Sequence, residues 1–372
     1  MKNLPYSHQH ISSRDIKNVV NVLKSDWLTQ GPRILEFEKK LASYCGAKYA
    51  VVVSSGTAGL HLTYVIAGFK KRDEVITTPN TFVATSNMLM AAGARPVFCD
   101  IRPDTYNIDE TKIEKLITPR TKAIVPVHFA GHPCEMSVIR AIARRHNLLV
   151  IEDACHALGA RYKNSKVGSC KYSDMTVFSF HPVKSITTGE GGAVLTNDKK
   201  IYERLTLLRN HGIQKNENGK NIMTELGYNY RITDIQAILG ISQLTKLDVF
   251  VAKRNQIARW YKSILKNSSD ILLPVCLANN YSGWHIYVVR TRDPKNRDRL
   301  SSFLKKNGIG ANFHYPAVYS HPYYQENGYR DVSLKNEEEY QSSCLTLPCY
   351  PDLTKKDMQK VCSLINRFFV AL

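Results

Sequence analysis

Nowhere in the 372 residues does an apolar run approach the roughly 20 residues that a bilayer-spanning helix requires. The first residues, MKNLPYSHQHISSRD, contain no apolar h-region. No membrane partner is therefore expected, and the expected location is the cytoplasm. The nine cysteines, Cys45 through Cys362, never form a CxxC pair, which argues against a zinc site of that type and against a disulfide framework. Reduced thiols and no metal are the expectation. Lys and Arg outnumber Asp and Glu by 51 to 32, for a net charge of +19, but the basic residues are dispersed and form no long block. That dispersal argues against nucleic acid as a partner, while a diphosphate-bearing substrate could still use basic groups locally. GK[ST] and GxGxxG are both missing, as are internal repeats and low-complexity segments.

What is present is enough apolar residue, 43% of the chain, to bury a large core, so disorder is excluded. Ser13 is suited to cap a helix whose apolar positions Ile16, Val19, Val20 and Leu23 follow the i, i+3, i+4, i+7 spacing. A second helix around Ile34 to Tyr44 ends at Gly46. Short Val- and Ile-rich runs then alternate with helical stretches: Tyr49 to Val53, Glu74 to Thr77, Pro96 to Cys99, Ala123 to Val127 and Leu148 to Ile151. Continuous apolar runs read as strands buried on both faces. The segments between them, near Ala58 to Ala67, Phe82 to Ala92, Asp109 to Leu116 and Ser137 to Arg145, supply the crossovers of a mainly parallel sheet. Met175 to Phe180 and Ala193 to Thr196 add two strands, and one long helix is predicted from Asp234 past Leu247. The fold class is α/β, with residues 1–250 as a large domain. Residues 251–372 form a smaller α+β domain with a strand at His285 to Arg290 and helices at Arg299 to Lys306 and Lys355 to Phe369. Ligands are expected beyond the carboxyl ends of the strands.

Three segments can carry chemistry. Ile151-Glu152-Asp153-Ala154 places Asp153 at a strand end, where a carboxylate could hold a metal, a ribose or a protonated heterocycle, or simply form a turn. In Ser179-Phe180-His181-Pro182-Val183-Lys184, followed by Thr187, Thr188 and a glycine-rich turn, a strand breaks into a lysine-bearing loop. A desolvated lysine can attack an aldehyde to form a Schiff base, although an arbitrary lysine is a solvated surface group. Ser179 could donate to a phosphate, and His181 could equally be an ordinary half-buried histidine. Ser54-Ser55-Gly56-Thr57-Ala58-Gly59 follows the first buried strand and opens a helix, where backbone N–H groups favour an anion or where serine merely caps. Phe82 could stack on an aromatic ligand or pack in the core.

SFHPVKSITTGEGG, EDACHALGA, SGTAGL and GYNYRITDIQAILG together resemble the cofactor-lysine, ring-nitrogen, phosphate and subunit-crossing motifs of the sugar aminotransferase family of type I pyridoxal-phosphate (PLP) enzymes, the DegT/DnrJ/EryC/StrS type. The resemblance runs from Tyr6 to the C-terminal helix. It implies the type I PLP-dependent transferase fold, pyridoxal 5′-phosphate as cofactor, and a homodimer with shared active sites. Lys184 would carry the cofactor and shuttle the proton, Asp153 would pair with the pyridine nitrogen, and His156 would sit near the ring hydroxyl, where many members have Gln. Thr57, Ala58 and Ser179 would hold the phosphate together with Asn229 from the other subunit, and Phe82 would stack on the ring. His314 and Tyr315 match a segment that approaches the sugar, and Arg231 and Arg33 are candidates for the diphosphate.

SDWLTQGP, PNTFVAT, VPVHFAG and ELGYNYRITDIQAILGISQL resemble most the subgroup serving pseudaminic acid synthesis, whose product goes to flagellin and other surface glycans. The resemblance implies glutamate as amino donor and a UDP-linked 4-keto-6-deoxy-N-acetylhexosamine as acceptor, giving UDP-4-amino-4,6-dideoxy-N-acetyl-β-L-altrosamine. The alternatives are a UDP-4-keto-pentose, a dTDP-linked keto sugar, or a non-catalytic regulatory protein on the same fold. Dehydratases that use this cofactor characteristically carry histidine in place of the lysine, and Lys184 argues against them. His128, His132, Cys134 and His156 are the residue types of a metalloenzyme but lack a recognised ligand spacing.

Overall fold

A computed structural model of the chain describes residues 3–371. Helix α1 (Ser13–Leu23) is capped by Ser12, one residue before the expected Ser13. Asp15, at the third helical position, completes a reciprocal pair: its N–H donates to Ser12 Oγ and its carboxylate accepts from the Ser12 N–H. The apolar stripe marked by that spacing is open, with Ile16, Val20 and Leu23 at 57%, 39% and 54% exposure. The face that does pack buries Asp15, which accepts from Ser242 Oγ at 2.6 Å and pairs with Lys246. Burial alone would raise this carboxyl, but the donors outweigh it and hold its pKa at about 2. Helix α2 (Pro32–Cys45) ends on Gly46 at φ 81°, the left-handed position foreseen for it.

The large sheet contains β1 (Tyr49–Val53), β2 (Glu74–Thr77), β3 (Arg95–Phe98), β4 (Thr121–Val125), β5 (Leu149–Asp153), β6 (Met175–Ser179) and β7 (Gly192–Thr196), in the order β1-β7-β6-β5-β4-β2-β3. The strands from β3 to β6 are parallel, and β7 runs antiparallel to both neighbours. Between strands run α3 (Gly56–Ala67), α4 (Ala84–Ala91) and α5 (Met136–Arg145). Helix α4 starts two residues later than predicted and leaves Phe82 on the loop before it. The helix predicted near 109–116 is a short α turn, Glu110–Ile113, continued by a 3-10 turn to Leu116. Pro119 follows closely and pulls the chain out of helical geometry.

The long helix predicted from Asp234 is two helices, α6 (Asp234–Leu244) and α7 (Leu247–Leu265), bent by 59° at the break. No single helix among the described residues is long and apolar enough to cross a membrane. Beyond α7 lies an antiparallel sheet of β8 (Ile271–Leu272), β9 (Tyr287–Thr291) and β10 (Cys344–Leu347), packed with α8 (Lys295–Lys306), α9 (Lys335–Ser343) and α10 (Lys355–Val370). Its core joins Tyr261, Leu300, Leu345 and Ile365, and takes in Leu4 from the other end of the chain. The Leu4 N–H donates to Gly308 O at 2.9 Å. Residues near the N-terminus thus pack on the C-terminal body and reach the site from that side.

Candidate active site

Asp153 and Ser179 are the last residues of the neighbouring strands β5 and β6, so the parallel pairing of these strands puts both groups at one edge of the sheet. Strand β5 extends two residues further than predicted and carries Asp153 to that edge. A cavity of about 670 Å³ opens there, lined by Asp153, Ser179 and Lys184 from below and by Tyr6, His314 and Tyr315 from the C-terminal body. Its size suits a cofactor together with part of a substrate.

Lys184 sits in the turn after β6, its N–H donating to His181 O at 2.9 Å. Desolvation lowers the pKa of its amine, against the opposing pull of Cys155 and Asp153, and raises the fraction available as a neutral nucleophile. Asp153 is held at both oxygens: Thr85 Oγ1 donates to Oδ2 at 2.7 Å and the Cys155 N–H to Oδ1 at 3.1 Å. Thr85 lies in the first turn of α4 and is bonded in turn to Thr81 Oγ1 at 2.8 Å. The side chains thus fix the carboxylate in one orientation.

Three buried imidazoles, His156, His285 and His314, line the same cavity as the amine. Burial drives the pKa of His156 well below its ordinary value, with Lys184 and His314 adding to the effect, and brings His314 to about 4 with Lys184 adding to it. Both are neutral at physiological pH. His156 Nε2 meets the Tyr315 hydroxyl at 3.1 Å, whereas its buried Nδ1 has no partner. His314 Nδ1 meets Thr346 Oγ1 at 2.7 Å. Burial raises the Tyr315 phenol, which stays protonated.

At the start of α3, Ser55 Oγ accepts from the Ala58 N–H at 3.1 Å. Ala58 is buried and does not line the cavity, while Thr57 is exposed and does. A Cβ on Gly56 would stand 2.9 Å from Ser179 Cβ, so glycine is what lets the positive end of α3 press against the end of β6. Phe82 lines the cavity at 58% exposure, its ring centroid 6.3 Å from that of Tyr315. Asn229 and Arg231 are not brought to this cavity. Asn229 is exposed, bridged through its backbone to Asn210, and Arg231 donates to Asn210 Oδ1 at 2.8 Å beside a second cavity of about 530 Å³. Arg33 donates to Glu36 at 2.7 Å, also outside it.

The metal-type residues do not converge. His128 is bonded to Glu152 at 2.6 Å and to the Cys134 N–H at 3.1 Å, and His132 lies between Asn107 and the Leu277 N–H. No group of three or more metal-ligating side chains occurs among the described residues. Sequence reasoning missed Thr85, Tyr6 and His285. Thr85 stood inside a quoted motif, but its bond to Asp153 joins helix α4 to the end of β5, 68 residues further along the chain, and has no local signature. The residues that are present suit pyridoxal phosphate: a desolvated amine, a fixed carboxylate, an unpartnered buried imidazole nitrogen and a helix N-terminus.

Comparison with known proteins agrees. Residues 9–366 match the DegT/DnrJ/EryC1/StrS aminotransferase family. The spore coat polysaccharide biosynthesis protein SpsC of Bacillus subtilis is 38% identical, over 98% of this chain and 96% of its own. Helicobacter pylori PseC, an aminotransferase involved in the biosynthesis of pseudoaminic acid, is 37% identical and superposes over all of both chains with a TM-score of 0.96. A sugar aminotransferase of Streptococcus pneumoniae, solved in its PLP form, is 27% identical with a TM-score of 0.92, over 98% of this chain and 99% of that one. The chain therefore belongs to the DegT/DnrJ/EryC1/StrS aminotransferase family and is a PLP-dependent sugar aminotransferase of the type I fold.

Proposed function

We propose that the enzyme moves the amino group of glutamate to the C4 ketone of a UDP-linked 4-keto-6-deoxy-N-acetylhexosamine, giving UDP-4-amino-4,6-dideoxy-N-acetyl-β-L-altrosamine. The observation that carries this reading is the likeness to the pseudoaminic acid enzyme over the full length of both chains, with Lys184 and Asp153 in one cavity. When bound, the cofactor supplies an electron sink for the carbon that loses its proton. Lys184 Nζ takes that proton and returns it, in each of two half-reactions. Asp153 holds a proton on the ring nitrogen, because an adjacent negative charge raises the pKa of a cationic acid. His156 would attend the ring hydroxyl, Phe82 would stack on the ring, and Thr57 and Ser179 would hold the phosphate, joined by the Ala58 N–H once it leaves Ser55 Oγ. His314 and Tyr315 meet the sugar.

The same proposal includes a homodimer acting in the cytoplasm, with residues 1–250 as the cofactor-binding unit and 251–372 as the smaller one. Asn229 of the partner subunit completes the phosphate site, and the partner subunit's Arg231 meets the diphosphate. Exposed apolar side chains support a covered face: Ile16, Val20 and Leu23 on α1, Trp27 and Leu28 just beyond it, and Leu226, at 72% exposure, next to the strap that carries Asn229. Product analysis tests the whole reading. Incubation with glutamate and UDP-2-acetamido-2,6-dideoxy-β-L-arabino-hexos-4-ulose should yield 2-oxoglutarate and the 4-amino sugar of altro configuration. Turnover of a UDP-4-keto-pentose or a dTDP-linked keto sugar in its place would overturn the assigned sugar.

A further inference from the structure

Nothing in the amine transfer described above uses Glu152, the residue before Asp153 on β5, although its side chain is buried at 5% exposure. Alternation along the strand turns it to the opposite face of the sheet from Asp153. There its carboxyl group is surrounded by donors. His128 Nε2 meets Oε2 at 2.6 Å, Thr176 Oγ1 donates to Oε1 at 3.1 Å, and Ser173 Oγ donates to Oε1 as well. Burial would raise the pKa of this carboxyl, but these bonds, that from His128 foremost, hold it below its ordinary value.

Whether the resulting charge is cancelled depends on His128. The Cys134 N–H donates to His128 Nδ1 at 3.1 Å, so Nδ1 carries no proton and the ring keeps only the one on Nε2, which it shares with Glu152 in a hydrogen bond. A neutral imidazole is a donor and not a counter-ion. Among the described residues no lysine or arginine pairs with the carboxylate either. The thiols that face it, Cys134 before α5 and Cys170 before β6, are pushed up by burial and by Glu152 itself, and stay neutral. The acids nearby have partners of their own: Asp174 accepts from Arg140 at 3.0 and 3.2 Å, Glu110 from Arg102 at 2.7 Å, and Glu135 from the Tyr162 hydroxyl at 3.0 Å. Neutral donors remove the cost of an unpaired buried carboxylate but leave its field in place. At an effective dielectric constant of about 20, unit charges about 10 Å apart shift each other's pKa by about one unit.

We propose that Glu152 is a fixed negative charge behind Asp153, and that its field, beyond its bonds, helps to hold protons on the cofactor's ring nitrogen and on Lys184 Nζ. Glu152 touches neither cofactor nor substrate and acts through the sheet, alongside Asp153. Of the other titratable groups near Lys184, burial keeps Cys155, His156, His285 and His314 neutral. The remaining ones in the cavity, Tyr6, His181, Glu190, Tyr315 and His321, are the same in both proteins compared below. The proposal rests on the family-level active site and on neither the sugar nor the amino donor.

The test is a pH titration of the visible absorbance of the cofactor-loaded protein without substrate, beside ¹⁵N-histidine NMR of the wild type. Glu152→Gln keeps the shape and the bonds, since its Oε1 accepts from His128 and its amide nitrogen donates to Ser173 and Thr176, and it removes only the charge. It should lower the pH midpoint of the absorbance change by about half to one unit, with the thermal midpoint little changed. A Glu152 that serves structure alone predicts no such shift. In the wild type, His128 should appear at neutral pH as the neutral Nε2–H tautomer. A Glu152→Gln protein that loads cofactor and titrates at the wild-type midpoint would overturn the proposal, and so would an imidazolium at His128, whose charge would cancel that of Glu152. If Glu152→Gln does not fold, the wild-type spectrum still decides between a bare charge and a cancelled one. No outcome depends on turnover, so a failure to aminate the UDP-sugar would strike the function proposed above and leave this titration intact.

Discussion

At the floor of the cavity, Asp153 and Ser179 end adjacent strands and Thr85 reaches Asp153 at 2.7 Å, whereas the strap after Gly227 sends its polar groups elsewhere. Asn229 is exposed and Arg231 faces a second cavity. The floor is a product of one chain's sheet: parallel pairing sets the two groups side by side, and hydrogen bonds within the chain orient them. The strap has neighbours for its backbone but offers its functional side chains outward, next to exposed Met223 and Leu226. Asp153, Ser179 and Lys184 are therefore preorganised by the fold, while Asn229 and Arg231 are not brought to the cavity by their own chain.

This contrast can be broken at either end. Replacing Lys184 with Ala should cost the largest factor, at least about 10³-fold in amine transfer, with the thermal midpoint little changed. A Val20→Asp, Leu23→Asp double variant should next separate the subunits, seen as a monomer by light scattering. It should lose most activity although its own floor is untouched. If a dimer forms sites from both chains, mixing Lys184→Ala with Asn229→Ala after subunit exchange should restore about a quarter of wild-type activity. No recovery would place the strap's function within its own chain. Thr85→Val should cost about 10- to 100-fold by unpairing Asp153, the loss expected for one hydrogen bond to a charged group, with cofactor absorbance as a second readout.

The smallest effect should fall outside the site. Burial lowers the pKa of His132 to about 4, so the unfolded chain, with an ordinary histidine, binds the proton first as pH falls. Its contribution is intact above about pH 6.5 and is lost between there and about pH 4. His132→Gln should thus remove about 2 kcal/mol from the stability lost between pH 7 and pH 5, read from urea unfolding at both values.

Much of this was legible in the sequence. Continuous Val- and Ile-rich runs located the strands, with Tyr49–Val53 and Glu74–Thr77 placed to the residue, because a strand buried on both faces leaves little room for polar residues. Motif spacing brought Asp153, His156, Ser179 and Lys184 together. Helix α1 shows where such reading stops: its spacing correctly marked an apolar face, but periodicity does not say what covers it, and the chain's own core takes the Asp15 side. The break at Leu244–Leu247 was hidden because neither glycine nor proline marks it. Thr85 and His285 were invisible because each meets its partner across a long stretch of chain.

The central claim is that Lys184 and Asp153 act on one bound cofactor. Single-turnover mixing of cofactor-loaded protein with glutamate, followed by visible absorbance and by released 2-oxoglutarate, tests it most directly. The wild type should change colour and release one equivalent per site, while Lys184→Ala and Asp153→Asn, loaded equally with cofactor, should do neither on the same timescale. A Lys184→Ala protein that releases 2-oxoglutarate at the wild-type rate would contradict the account.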